Sequence, residues 1–155
     1  MAIIGSLMKT EMVTVKPDDL VLDAARAMQQ NRVGAVLVVE DGALRGILSE
    51  RDVATRVVAE GRDPASTRVS EVATAEVVDV DIETHIRKCA ELQLSMDVRH
   101  LPVTDNGKPV GILSSRDFLA YVVQGLERVI DQVRYEQALG KGEDPYDHIG
   151  GSYGQ

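Results

Sequence analysis

The sequence predicts an α/β (α+β) fold: two tandem β-α-β-β-α repeats related by a pseudo-two-fold, followed by a long C-terminal helix. Three observations lead there. Gly46-Ile47-Leu48-Ser49-Glu50-Arg51-Asp52 returns as Gly111-Ile112-Leu113-Ser114-Ser115-Arg116-Asp117, six identities in seven positions at an offset of 65 residues. The same offset, without a gap, pairs Val13 with Val78, Val15 with Val80, Ala25 with Ala90, Val33 with Val98, Val38 with Val103 and Gly42 with Gly107. Both copies show the same order of strand-like and helix-like patterning, and each is too short to bury a sheet alone, so two must share a core.

Within each copy the elements follow from local chemistry. Met12 to Val15 and Glu76 to Val80 alternate apolar and polar residues, as a half-buried strand does. Pro17-Asp18-Asp19 suits a helix start, with acids at the positive end of the dipole. Leu20, Ala24, Ala25 and Met28 follow at helical spacing, matched less cleanly by Ile86, Cys89, Ala90, Leu92 and Gln93. Ala35 to Val39 and Leu101 to Thr104 read as buried strands. Asp41-Gly42 and Asn106-Gly107 are hairpin turns, since both residue types tolerate positive φ. The returning strands carry Gly46-Ile47-Leu48 and Gly111-Ile112-Leu113, and second helices open at Ser49 and Ser114, both good N-cap types. The first of these helices runs through Val53, Val57 and Val58, the second through Phe118, Leu119, Val122 and Val123.

The expected organisation is repeat 1 over 7–60, a polar linker over 61–71, repeat 2 over 72–125, a helical extension over 126–139 and a flexible tail over 140–155. In the extension Leu126, Val129, Ile130 and Val133 continue the three- and four-residue steps of Leu119 and Val122 to about Ala138. Such a stripe needs a partner.

Composition narrows the function. Acids outnumber bases 25 to 17, for a net charge of −8, which disfavours a duplex nucleic-acid partner. Four Tyr, one Phe and no Trp leave little for stacking single-stranded bases. The longest purely apolar run, Val33 to Val39, is far short of the roughly 20 residues of a membrane helix, so no membrane association is expected. Residues 1–9 lack the basic and apolar regions of a signal peptide, and the one cysteine, Cys89, makes no internal disulfide; a cytoplasmic location is expected. Cys89 lies on the buried stripe of its helix and has no His at a nucleophile-activating spacing. His85, His100 and His148 show no ligand spacing, and Asp79-x-Asp81-x-Glu83 has Thr84 where a calcium loop needs Gly, so no metal is expected.

The β-α-β-β-α order, the turn feeding Gly-apolar-apolar-Ser-x-x-Asp, its duplication in register, and His100-Leu101-Pro102-Val103 before the second copy together resemble the CBS domain pair, or Bateman module, over roughly Leu7 to Gly125. The resemblance implies a regulatory module rather than an enzyme. It implies binding of AMP, ADP, ATP, NAD or a related adenosyl ligand in clefts between the repeats. It also implies a homodimer, with any regulated target a separate protein. The alternative is an interaction scaffold of the same fold that binds no ligand.

The residues suit an adenosine phosphate. One carboxylate can accept from both ribose hydroxyls, a role for Asp52 and Asp117. Arg51, Arg116 and Arg99 can give forked hydrogen bonds to phosphate. Ser49 and Ser114 stand at helix starts, where free backbone N–H groups favour an anion. Val13, Val33-Gly34-Ala35 and Ile112 could line a flat slot for adenine, with Gly34 allowing close approach. By similarity to the family, the first cleft joins Val13, Val33, Gly34 and Ala35 to Arg99, His100, Ile112, Ser114, Arg116 and Asp117. The second joins Val78, Val98, Arg99 and His100 to Ile47, Ser49, Arg51 and Asp52. The first is expected to favour the more anionic ligand. Arg68 is a further candidate for phosphate, and His100 suits either ligand contact or a core hydrogen bond.

Overall fold

A computed structural model describes residues 2–142; the Tyr146, His148 and Tyr153 region of the expected tail lies outside them. The chain divides into two units, one ending at Asp117 and one beginning at Phe118.

The first unit holds two three-stranded sheets of the same design. In one, β1 (Thr14–Val15) runs parallel to β2 (Ala35–Glu40), which pairs antiparallel with β3 (Ala43–Ser49). In the other, β4 (Val80–Asp81), β5 (His100–Asp105) and β6 (Lys108–Ser114) repeat that order and those directions. Both hairpins turn through two positive-φ residues, Asp41-Gly42 at 52° and 75° and Asn106-Gly107 at 49° and 77°, which matches the right-handed twist of the flanking strands. The ladder slips at Val38/Val39 and again at Val103/Thr104, so even the bulge is duplicated.

Helices cover these sheets. α1 (Val21–Asn31) buries Val21, Ala24 and Met28 against Val36, Val38 and Leu48. α4 (Ile86–Ser95) buries Ile86, Cys89 and Gln93. The Pro17-Asp18-Asp19 helix start is corrected. Asp19 accepts from the backbone N–H of Lys16 (2.8 Å), closing a turn, and the helix begins only after Leu20. A short side chain that binds its own backbone competes with helix, and here it wins. The first strands are also shorter than their alternation suggests.

A second correction concerns the helix after Ser49. Only Glu50–Asp52 (α2) is α-helical; Val53–Val58 is π-helical, and it still buries Val57. The helix after Ser114 is α-helical throughout: α5 spans Ser115–Lys141, two residues past the expected 126–139 extension.

The third correction is the largest. The stretch expected as a polar linker over 61–71 leads into a further short helix, α3 (Val69–Val72), whose Val69 and Val72 belong to the core of the first repeat. Thr74 then pairs with Ile47 of β3 through N–H···O bonds of 2.9 and 3.0 Å. Residues 4–9 do the same for the other half. Ile4, in a 3₁₀ turn (Ile4–Ser6), is fully buried and donates to the Thr84 carbonyl, and Lys9 exchanges two 3.0 Å bonds with Ile112 of β6. Each repeat is therefore completed by a segment that precedes the other repeat in sequence.

In the second unit, α5 keeps Leu119, Val122, Leu126, Val129, Ile130 and Val133 exposed along one stripe.

Candidate functional site

The structure forms two clefts at equivalent places in the first unit. The larger, about 560 Å³, is lined by Val13, Val33, Gly34 and Ala35 from the first repeat and by Arg99, His100, Ile112, Ser114, Arg116 and Asp117 from the second. These are all ten residues expected of the first cleft. The smaller, about 180 Å³, brings together Ile47, Ser49, Arg51 and Asp52 with Val78, Val98, Arg99 and His100, all eight of the second set. Arg68 lines neither; its guanidinium meets Asp18 at 3.4 Å.

The carboxylates are positioned by the helix starts. Ser49 and Asp52 form a reciprocal cap: the Ser49 hydroxyl accepts from the Asp52 N–H (3.2 Å), and the Asp52 carboxylate accepts from the Ser49 N–H (2.9 Å). Ser114 likewise accepts from the Asp117 N–H (3.2 Å) and donates its hydroxyl proton to Asp117 Oδ2 (2.5 Å). Lys9 reaches Asp117 Oδ1 at 2.9 Å, where Asp52 instead faces Arg56 at 3.5 Å. An ionised carboxylate has about four lone-pair sites, so Asp117 keeps capacity to accept a vicinal diol.

Burial raises the Asp117 carboxyl, but the Ser114 hydroxyl and the Lys9 ammonium outweigh it and hold it below its ordinary 3.8. His100 lines both clefts, its Nε2 3.2 Å from where a Gly34 Cβ would stand. The close approach at Gly34 thus serves the imidazole. Burial, aided by the neighbouring Arg99 charge, holds His100 below its ordinary 6.5; Glu50, Asp117 and Asp52 oppose this without cancelling it.

Both shifts have the same sign of consequence. The unfolded chain takes up these protons first, so stability is full at neutral pH and falls with acid. The expected loss comes in two steps, one below 6.5 from His100 and one below 3.8 from Asp117. Thermal unfolding from pH 8 to 3 checks this: His100→Asn should flatten the upper step and leave the lower one.

Sequence reasoning missed Lys9, Glu11, Met12, Met28 and Arg32 in the larger cleft, and Thr74, Glu76 and Asp97 in the smaller. The offset of 65 residues was the available signal, since it pairs Lys9 with Thr74, Glu11 with Glu76 and Arg32 with Asp97. Among the described residues, no group of three His, Cys, Asp or Glu is placed to hold a metal ion, and no helix is long and apolar enough to cross a membrane.

Two repeats of one design, interlocked by their leading segments and enclosing paired clefts, define a tandem-repeat module with two equivalent candidate binding sites. The chain belongs to the CBS domain family, whose matches cover residues 4–59 and 69–124. It is 38% identical over 117 residues to the CBS domain-containing protein YhcV of Bacillus subtilis, covering 76% of this chain and 83% of that one. Several Arabidopsis thaliana relatives are longer, and the chain spans only 54% to 22% of their length. Among solved structures, the CBS-domain containing protein ATU1752 from Agrobacterium tumefaciens is 30% identical, with a TM-score of 0.72 over 77% of this chain and 98% of that one. The CBS domain pair of protein MJ0100, solved with methylthioadenosine and S-adenosyl-L-methionine, shares the fold at 19% identity and a TM-score of 0.72, over 80% and 97% of the two chains.

Proposed function

We propose that this protein is a regulatory sensor that binds an adenine nucleotide in the larger cleft and passes a change of shape to a separate partner, without chemical conversion of the ligand. One observation carries the reading. The larger cleft sets a capped carboxylate, Asp117, and three arginines without ion-pair partners among the described residues, Arg32, Arg99 and Arg116, around the apolar wall of Val13, Val33 and Ala35. Ribose, phosphate and adenine each find a complementary surface there. The volume lies within the roughly 300–1,000 Å³ usual for small-molecule sites. The ligands of MJ0100 share the adenosine part of such a nucleotide, though neither carries a phosphate.

Ligand binding can shift the repeats only by its differential affinity for the two shapes. The exposed stripe of α5 supports a second copy of the chain as its partner. The flanking positions Val123, Gly125, Gln132 and Gln137 carry no charge that would repel an identical helix. Sedimentation equilibrium of the full chain tests that dimer.

Thermal shift against AMP, ADP, ATP, NAD and S-adenosylmethionine tests the central reading. A ligand at about 100 times its Kd stabilises by about 2.7 kcal/mol, which raises the midpoint by several degrees. No shift with any of them, and no small molecule released from the denatured protein in mass spectrometry, would instead point to a scaffold that binds no ligand.

A further inference from the structure

The two clefts are assembled from equivalent positions, and one pair of equivalents carries opposite charge. Arg32 caps α1, and Asp97 follows Met96, the cap of α4. Both adopt the left-handed conformation, φ 54° and 50°, both are exposed, and each lines the cleft formed beside it. Facing them are two equivalent arginines, Arg116 in the larger cleft and Arg51 in the smaller. Arg51 Nη1 lies 3.2 Å from Asp97 Oδ2. Arg116 has no ion pair among the described residues, because the equivalent of Asp97 on its side is another arginine.

Arg99 and His100 line both clefts and so cannot discriminate between them. Lys9 adds a cation to the larger cleft, but it is committed to Asp117. The difference available to an incoming anion is therefore concentrated at the pair 32/97. The Arg51–Asp97 bond is exposed and weak in itself; the sign of the charge is what matters. A phosphate entering the smaller cleft meets the Asp97 carboxylate and must take Arg51 from it. In the larger cleft it meets two uncommitted guanidinium groups.

We propose that the left-handed residue after the first helix of each repeat decides which cleft accepts a phosphate-bearing ligand: Arg32 makes the larger cleft the anion site, and Asp97 excludes anions from the smaller. The inference rests on the nucleotide reading and extends it to one phosphate-bearing ligand per chain.

Titration calorimetry with ATP and with tripolyphosphate, on wild type, Arg32→Asp and Asp97→Arg, tests it. Both variants exchange residues that each stand in this backbone conformation in the same fold, so both should fold, which their unfolding midpoints check. Wild type is expected to bind one ATP per chain. Arg32→Asp should weaken that site at least about tenfold, the lower end of what one charge within 4–6 Å does to a neighbouring ionisation. Asp97→Arg should add a second site for tripolyphosphate, the smaller cleft being tighter for a whole nucleotide. Two equal sites in wild type, or unchanged stoichiometry and affinity in both variants, would overturn the assignment while leaving nucleotide binding intact. Tripolyphosphate binding that depends on Arg32, with ATP bound no better, would keep the assignment and overturn the adenosine reading. Neither probe binding to wild type or Asp97→Arg would overturn both.

Discussion

Asp117→Asn is expected to weaken adenine-nucleotide binding on the order of 10- to 100-fold, the equivalent of one charged hydrogen bond of about 1.5–3 kcal/mol. The substitution keeps the side chain's shape and leaves the Ser114 hydroxyl to accept from the residue 117 N–H, so the helix start survives. What it removes is the charge that orients Lys9 and that, in the proposed nucleotide site, would accept from the ribose. Asp52→Asn is the matched control. Asp52 holds the same position in the smaller cleft, with Ser49 and Arg56 as partners, and its loss should leave the strong site within about twofold. Equal losses in the two variants, measured by calorimetry, would show that the carboxylates act through folding and not through a ligand.

The second large effect is expected on stability. Gly111 lies where the segment carrying Met8 and Lys9 crosses β6. A Cβ built there would stand 2.5 Å from the Met8 sulfur and 2.8 Å from the Lys9 carbonyl oxygen. Met8 is flexible and can move away. The carbonyl is fixed by its bond with the Ile112 N–H, so Gly111→Ala must push the two backbones apart. Overpacking of this kind costs about 1–3 kcal/mol, and each Lys9–Ile112 bond that breaks adds about 1 kcal/mol. Gly125→Ala in α5 is the contrast: nothing lies within 4 Å of its added methyl group, and the change should stabilise by up to about 1 kcal/mol. Denaturant unfolding of the two variants should therefore move in opposite directions. Because Lys9 also reaches Asp117, Gly111→Ala should weaken nucleotide binding as well.

The same glycine shows where the sequence was legible and where it was not. Its recurrence at the offset of Gly46 revealed the duplication and both hairpins, while the expected cleft residues came from the family resemblance and left out Lys9, Arg32, Thr74 and Asp97. Its reason for being glycine was hidden, because the backbone it must admit comes from residues 4–9, some 100 positions away. Val69 was read as linker and Val72 as the first residue of the second repeat for the same cause: their partners Val21, Val36 and Leu48 are remote, and a four-residue helix has too few turns to show a period. The π-helical turn after Asp52 has no local signature that separates it from α-helix. Asp19 misled in the opposite way, as a good helix-start residue spending its carboxylate on a preceding turn. Charge at the clefts was only half legible. Arg51 and Arg116 stood out inside the repeated motif, but Arg32 and Asp97 lie outside it and differ between copies.

The exchange of leading segments also bears on how this protein can be divided. A cut between the halves at residue 61 would strip each product of its companion: the front piece would lack Val69, Val72 and Thr74, and the back piece would lack Ile4 and Lys9. A fragment spanning 10–74 instead carries every strand, helix and crossing segment of one half. The modular boundary of this chain therefore falls just before the strand of each half, and a circular permutant opened directly after residue 74 should retain both halves whole.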